Sequence, residues 1–439
     1  MKRLTGDPRT DAAIIIDATL RDGARSTDLV NTAAPYYRDQ RDFSLLRELV
    51  GGCLRRRRVL EAVVAPHLKR GIENTRPLLR EILLGHAYQL LFLDRIPTHA
   101  RVSGAVDAAR RLDGEKGAGF ANAVARSVER AVGDDPGRLL AGMPLDIRLS
   151  IPPVFMDLIV RQGYSAENGD ELERLAMPSP VAVRMPRDPD RLARALDAFQ
   201  TSGTTATPGR WAPDCRILDS GRVLSSDAVP SLLIPQDEGS QLVACALMPQ
   251  PGDRIVDLCC GTGVKTSQLM AMVPGTDVLG IDVDTRKLDR CKDLCIQSGL
   301  GKPRVRGADV VALPPEFDNS FDRVLLDAPC TGAGTLRRRP EVRYTRTSSD
   351  FERAARLQEA LLDRAIRLLA PGGRLVYAVC SFARQEGIDV VRSVLSSHPE
   401  FVLVPTGLNN ALQSADLTVT TLPWVHDMDG FFIAAIQKK

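Results

Sequence analysis

Between residues 254 and 379 short apolar runs alternate with amphipathic stretches, and no other feature narrows the possible folds as far. The runs RIVDL (254–258), DVLGID (277–282), RVRGA (304–308), RVLLDA (323–328) and RLVYAV (374–379) have the length of buried strands. Helical periodicity fills Lys265–Met272, Lys287–Gly299 and Asp350–Leu369. Ser349 and Glu352 predict a capping box for the last of these helices, and Pro371-Gly372-Gly373 predicts its end. Strands joined by helices at this spacing build a parallel, doubly wound α/β sheet. The segment Met428–Ile436 is expected to add a further strand.

Upstream the pattern is different. From Thr10 to about Val132 apolar residues recur three and four apart, which predicts an all-α bundle of five to seven helices. Its breaks are expected at Gly51-Gly52, Gly71, Pro97, Gly114 and the turn Gly133–Pro136. Residues 145–235 mix Pro-rich spacers, a strand-like VAVRM (181–185), an amphipathic RLARALDAF (191–199) and a loop TSGTTATPG (201–209). The expected organisation is therefore an all-α domain (1–140), a small α+β connecting module (141–235) and the α/β domain (236–439).

Residues 1–140 carry 24 Lys and Arg against 18 Asp and Glu, and the remainder 34 against 37. A basic end points toward nucleic acid. With 44% hydrophobic and 26% charged residues the chain is globular, not disordered or fibrous. No apolar run approaches the ~18 residues of a membrane span, and the run Ala12–Ile16 is too short for a secretory signal. A soluble, cytoplasmic, monomeric protein away from membranes is expected. Nine Cys, an odd number without a C-x-x-C pair, give no expectation of a disulfide framework or a metal site.

The first strand of the sheet runs into Asp257-Leu-Cys-Cys-Gly-Thr-Gly-Val-Lys-Thr266. Glycines at 261 and 263 let the backbone turn sharply and approach a ligand beyond the strand end, where doubly wound sheets bind nucleotides. Asp282 closes the second strand, where a carboxylate can hold both ribose hydroxyls, and Asp309 closes the third, within reach of an adenine amino group. A dinucleotide fold would place a third glycine at position 266, where this chain has Thr. Loop and acid alone fit S-adenosylmethionine or a nicotinamide cofactor.

The fourth and fifth strands end in Asp327-Ala-Pro-Cys330 and Val379-Cys380-Ser381. In the usual strand order these two ends are expected to flank the switch point, about 5 Å apart, with both thiols facing one crevice. A lone Cys at a strand end is usually inert packing. Two in one crevice suit the methylation of cytosine at carbon 5, which is too weak a nucleophile until a thiolate adds to carbon 6. A base must then remove the carbon 5 proton so that the thiol is expelled, and a carboxyl such as Asp327 can hold the pyrimidine's pairing edge.

These residues carry a resemblance that covers nearly the whole chain. Arg47–Arg58 and Ala118–Arg126, with the long apolar helix between them, resemble the NusB-type RNA-binding fold. Gln236-Asp-Glu-Gly-Ser-Gln241, Asp327-Ala-Pro-Cys-Thr-Gly-Ala-Gly334, Leu336–Tyr344 and Cys380-Ser381 resemble the RNA cytosine-5 methyltransferases of the Sun/Fmu (RsmB) type. The resemblance implies a Rossmann-like S-adenosylmethionine-dependent methyltransferase domain acting on RNA, most of all small-subunit ribosomal RNA. It implies Cys380 as nucleophile and Cys330 as the thiol that helps release the product. Cys259, Cys260, Gly261, Thr262, Gly263, Val264 and Lys265, with Asp282, Asp309 and Asp327, are implied as cofactor contacts. The loop departs from the family's Cys-Ala-Ala-Pro-Gly-Gly-Lys-Thr chiefly in Val264, which stands for a glycine, and Val379 stands for a Thr.

Arg337, Arg338, Arg339, Arg343 and Arg346 follow the fourth-strand loop and are expected to neutralise RNA phosphates. The run Arg55–Arg58, taken alone, reads as a solvated helix face. Two further readings stand beside the ribosomal enzyme: a catalytically impaired RNA-binding or assembly factor, suggested by the altered loop, and the same chemistry on transfer RNA.

Overall fold

The computed structural model describes residues 2–133, 135–225 and 232–439. Asp134 of the expected turn and residues 226–231 of the expected connecting module lie outside the described residues. The chain forms two compact units, Met1–Pro178 with Leu336–Arg346, and Ser179–Thr335 with Thr347–Lys439. The division thus falls at 178, inside the span expected to be a separate module.

The first unit is helical: α1 (Pro8–Asp22), α2 (Ser26–Ala33), α3 (Gln40–Arg55), α4 (Arg57–Val64), α5 (Pro77–Phe92) and α6 (Thr98–Val132), followed by short helices such as Pro153–Arg161. Asp7 caps α1 by accepting from the Thr10 amide at 2.8 Å, and Gly23 ends it in a left-handed conformation. Ile14, Leu46, Leu60, Leu83 and Ala87 meet in its core. Gly114 breaks α6 as expected, at φ 68° and ψ −162°. Gly51 and Gly52 do not break α3. A Cβ on Gly52 would lie 2.0 Å from the Tyr88 ring, so this glycine serves a close helix approach.

The Arg55–Arg58 run is not a solvated face. The chain turns at Arg56 between α3 and α4. Arg57 forms a buried bidentate pair with Glu81 at 2.8 and 3.0 Å, and Arg58 pairs with Asp146 at 2.9 Å. The guanidinium of Arg56 lies 4.9 Å from the centroid of the Phe92 ring. Part of the Arg-rich segment 336–346 is also internal to this unit. Arg343 is 1% exposed and donates to the carbonyls of Arg55, Leu149, Ser150 and Leu175. Burial pushes its pKa down to about 10. Arg337 is buried as well and donates to the Pro178 carbonyl at 2.8 Å. These two expected RNA ligands are therefore structural, because both guanidinium groups are buried against backbone oxygens to which they donate.

The second unit carries two sheets. The smaller, in order β2-β3-β1-β4, is antiparallel: β1 (Val181–Arg184), β2 (Ala206–Pro208), β3 (Cys215–Leu218) and β4 (Ile234–Pro235). The stretch expected as a loop around 206 is thus partly strand. The larger sheet contains β5 (Ile255–Leu258), β6 (Val278–Asp282), β7 (Arg304–Gly307), β8 (Phe321–Asp327), β9 (Leu369–Val379), β10 (Phe401–Val404) and β12 (Phe432–Lys438), with β11 (Val419–Thr420) beside β12. Its order is β10-β12-β9-β8-β5-β6-β7. Strands β5 to β9 pair in parallel and β12 is antiparallel to both its neighbours. The order reverses between β5 and β8, so the switch point lies there and not between the fourth and fifth strands. Alternate residues of β9 bury on opposite faces, Leu375, Tyr377 and Val379 on one, Val376 and Ala378 on the other.

Two local expectations shift. The helix Ser348–Arg367 is capped by Thr347 and Asp350, whose side chains and backbone amides bond reciprocally, and not by Ser349 and Glu352. Pro371-Gly372-Gly373 does not end that helix; it forms an irregularity within β9, whose Leu369 already pairs with Phe321.

Removing the carboxylate of Glu81 leaves the Arg57 charge buried with only Glu61 beside it. Glu81→Ala is expected to destabilise the protein by about 3 kcal/mol or more, read as a lowered denaturation midpoint.

Candidate active site

Strand β5 delivers Asp257 to the switch point, fully buried. Its Oδ2 accepts from the Thr266 hydroxyl at 2.6 Å, and its Oδ1 has no partner. Burial raises its pKa to about 7. The Thr that replaces the third glycine of a dinucleotide loop thus has a task of its own. Beyond β5 the chain turns through left-handed residues, Cys259 at φ 59°, Gly261 at 57° and Gly263 at 82°. Gly263 packs on the helix Thr285–Gln297: a Cβ there would lie 2.4 Å from the Cys291 sulfur and 2.9 Å from its Cα. Val264 already belongs to the helix Val264–Met272, so the conformations that demand glycine fall at 261 and 263.

The residues expected to hold a cofactor surround this loop. Asp282, at the end of β6, accepts from the Gly261 amide at 2.9 Å and the Asp284 amide at 2.8 Å, leaving further lone pairs. Asp309 lies just beyond β7, exposed, with one oxygen on the Val311 amide. Cys260 is buried against Gly280, while Thr262 is exposed. Lys265 projects from the first turn of the helix and pairs with Asp327 at 2.6 Å, its Nζ 5.4 Å from the Phe431 ring centroid. Burial alone would lower the lysine's pKa, but the charge and hydrogen bond of Asp327 outweigh it and raise the value.

Strands β8 and β9 run in parallel register, Asp327 opposite Ala378. The loops that follow leave the same edge of the sheet and are stitched together by Ala328 N–H to Ala378 and Gly334 N–H to Cys380, each 2.9 Å from the carbonyl oxygen. Gly334 lies against the Gly430 backbone, where a Cβ would overlap the carbonyl at 1.8 Å. In consequence Cys330 and Cys380, both half-buried, stand with their sulfurs 3.2 Å apart. The contact with Cys380, then burial, raises the Cys330 thiol well above its ordinary value. Sequence reasoning missed Glu386, which is fully buried beneath both loops. A lone acid in a polar turn carries no signal of such a place.

An unpartnered buried carboxylate oxygen, a left-handed glycine turn and acids at consecutive strand ends form a cradle that fits an adenosyl ligand. Together with the strand order they define a Rossmann-like methyltransferase. The family model of 16S rRNA methyltransferase RsmB/F matches residues 244–437, and that of the NusB family matches residues 8–130. A protein of Citrobacter koseri named ribosomal RNA small subunit methyltransferase B is 30% identical over 405 residues, 91% of each chain. The crystal structure of PH0851 shares the fold across the whole of both chains, with TM-score 0.80 at 22% identity. The structure of NSun6 from Pyrococcus horikoshii with SFG matches 65% of this chain and 98% of its own, with TM-score 0.56 at 17% identity. The chain belongs to the RsmB family of S-adenosylmethionine-dependent methyltransferases and carries that family's NusB-type helical domain. Among the described residues no helix is long and apolar enough to cross a membrane, and no cluster of three or more His, Cys, Asp or Glu could hold a metal.

Two outcomes follow from this geometry. Gly263→Ala must displace the helix carrying Cys291 and adopt a strained backbone; cofactor affinity is expected to fall about tenfold or more, measured by titration calorimetry. Burial raises the Asp257 pKa to about 7 in the folded state, from an ordinary value of 3.8 in the unfolded chain. Its contribution to stability is therefore present below about pH 4 and lost as the pH rises toward 7. Relative to Asp257→Asn, the cofactor-free wild type is expected to lose melting temperature across that window and run parallel above it.

Proposed function

We propose that the protein methylates carbon 5 of a cytosine in small-subunit ribosomal RNA through a covalent bond from Cys380. The observation that carries this reading is the 3.2 Å approach of two thiols from neighbouring strand ends, beside the Lys265–Asp327 pair. The Cys380 sulfur adds to carbon 6, which turns carbon 5 into an enamine carbon able to attack an electrophile. The 259–265 loop with Asp282 and Asp309 would hold S-adenosylmethionine, whose methyl group would pass to that carbon. Lys265 and Asp327 face the ring, Asp327 with unused lone pairs for the pyrimidine's pairing edge.

Formation of the Cys380 thioether ends the sulfur–sulfur contact that raises the Cys330 thiol. Cys330 then releases its proton to solvent and accepts the one on carbon 5. The electrons of that C–H bond restore the carbon 5–carbon 6 double bond, and the Cys380 sulfur leaves as thiolate. A stacked base cannot reach this pair, so the target is a loop nucleotide or one turned out of a helix. Of the arginines expected to position RNA, Arg338 is exposed and Arg339 and Arg346 are half-buried. These three, without Arg337 and Arg343, are the phosphate-binding candidates of the segment.

Labelled S-adenosylmethionine, unmodified small-subunit ribosomal RNA and nucleoside analysis test the reading, with transfer RNA as the competing substrate. 5-Methylcytidine is expected in the ribosomal RNA. Cys380→Ala is expected to lower transfer roughly 10³-fold or more, and Cys330→Ala to accumulate a covalent protein–RNA adduct on denaturing gels. RNA binding without transfer by the wild type would leave the assembly-factor reading in its place.

A further inference from the structure

The carboxylate of Glu386 is fully buried, yet no Lys or Arg among the described residues forms an ion pair with it. Its four partners are neutral donors. Oε1 accepts from the Thr331 amide at 2.8 Å and the Gln358 side chain at 3.2 Å. Oε2 accepts from the Thr331 and Ser381 hydroxyls, each at 2.6 Å. Thr331 directly follows Cys330, and Ser381 directly follows Cys380. Gln358, on the helix Ser348–Arg367, also donates to the carbonyl of Pro329, the residue before Cys330. The Glu386 carbonyl is fixed in turn by the Tyr377 hydroxyl at 2.6 Å. One carboxylate thus ties the two thiol-bearing loops to each other and, through Gln358, to a rigid helix.

We propose that Glu386 is the positioning residue of the thiol pair: by holding Thr331 and Ser381 on one carboxylate, it fixes the approach of Cys330 to Cys380. The proposal rests on the reading of these thiols as nucleophile and releasing group. Both must address neighbouring carbons of one pyrimidine ring, so their relative placement tolerates little error. A buried, unpaired carboxylate is an expensive way to staple two loops. Its value is that two oxygens accept four bonds at once, which no neutral side chain of similar size can do.

The carboxamide of Glu386→Gln keeps the clamp in altered form. Oε1 retains its two N–H donors, while the Thr331 and Ser381 hydroxyls rotate to accept from the new amide. Glu386→Ala strands all four donors. Ser381→Ala cuts the link to the Cys380 loop, together with the hydroxyl's acceptance from the Ala383 amide at 3.2 Å within that loop. The spacing is read on the whole protein, without RNA, by phenylarsine oxide. Two thiols displace its oxygen as water, and the arsenic closes a ring only across two adjacent sulfurs. Cys330→Ser supplies the background from the other thiols.

Wild type and Glu386→Gln are expected to capture one equivalent above that background. Glu386→Ala and Ser381→Ala, folded by circular dichroism, are expected to capture at least about tenfold more slowly. Their methyl-transfer kcat should fall about 10²-fold for a displacement of some 1 Å, with KM for S-adenosylmethionine unchanged. Capture at the wild-type rate by Ser381→Ala, or by a folded Glu386→Ala, overturns the proposal. So does loss of capture in a folded Glu386→Gln. Slow capture with undiminished methyl transfer upholds the clamp and removes the two-thiol chemistry instead.

Discussion

The parallel pairing of β8 with β9 is the constraint from which the site follows. Neighbouring parallel strands end at the same edge of a sheet about 5 Å apart, and the register of Asp327 with Ala378 brings both ends level. The loops that leave this edge have no choice but to run side by side, and bonds from Ala328 and Gly334 zip them. An antiparallel neighbour would have sent one thiol to the far edge. The close packing of Gly334 on Gly430 extends the same logic to the next segment, since only two glycines permit backbones to meet there.

The cofactor cradle depends on the other side of the switch point. Between β5 and β8 the connections diverge to opposite directions, and the crevice that opens receives the loop after β5. What shapes that loop is less the glycine count than the positions at which φ is positive. Gly261 and Gly263 occupy left-handed backbone, and Asp282 locks the first of them through its amide. Val264 begins a helix, where a side chain carries no backbone cost. The substitution that looks most damaging in the sequence therefore falls where the chain has no need of glycine.

The strand–helix alternation was legible because each element is buried on a fixed period, and the five central strands came out within a few residues. The helical character of the first unit was legible for the same reason. Polar residues were where the reading went astray. Arg343 and Arg57 look like surface cations, but whether a guanidinium faces solvent or four carbonyls is decided by tertiary packing, which leaves no trace in the local pattern. The switch point was misplaced because strand order is a property of the sheet and not of any one strand. Glu386 was invisible for a related reason: beside nearby Ser381, its partners Gln358 and Thr331 are 28 and 55 residues away in sequence.

The carboxylates around the two thiols and the glycine loop of the second unit show how differently one group can be accommodated. Asp327 is neutralised by Lys265. Asp282 is held by backbone amides, and Glu386 by four neutral donors. Asp257 has one hydroxyl and an orphaned oxygen, and its pKa rises in response. Burial without compensation costs stability, so the completeness of each solution separates two roles. Glu386, with four bonds made, holds backbone in place, whereas Asp257 keeps an acceptor in reserve at the strand end where an adenosyl ligand would lie.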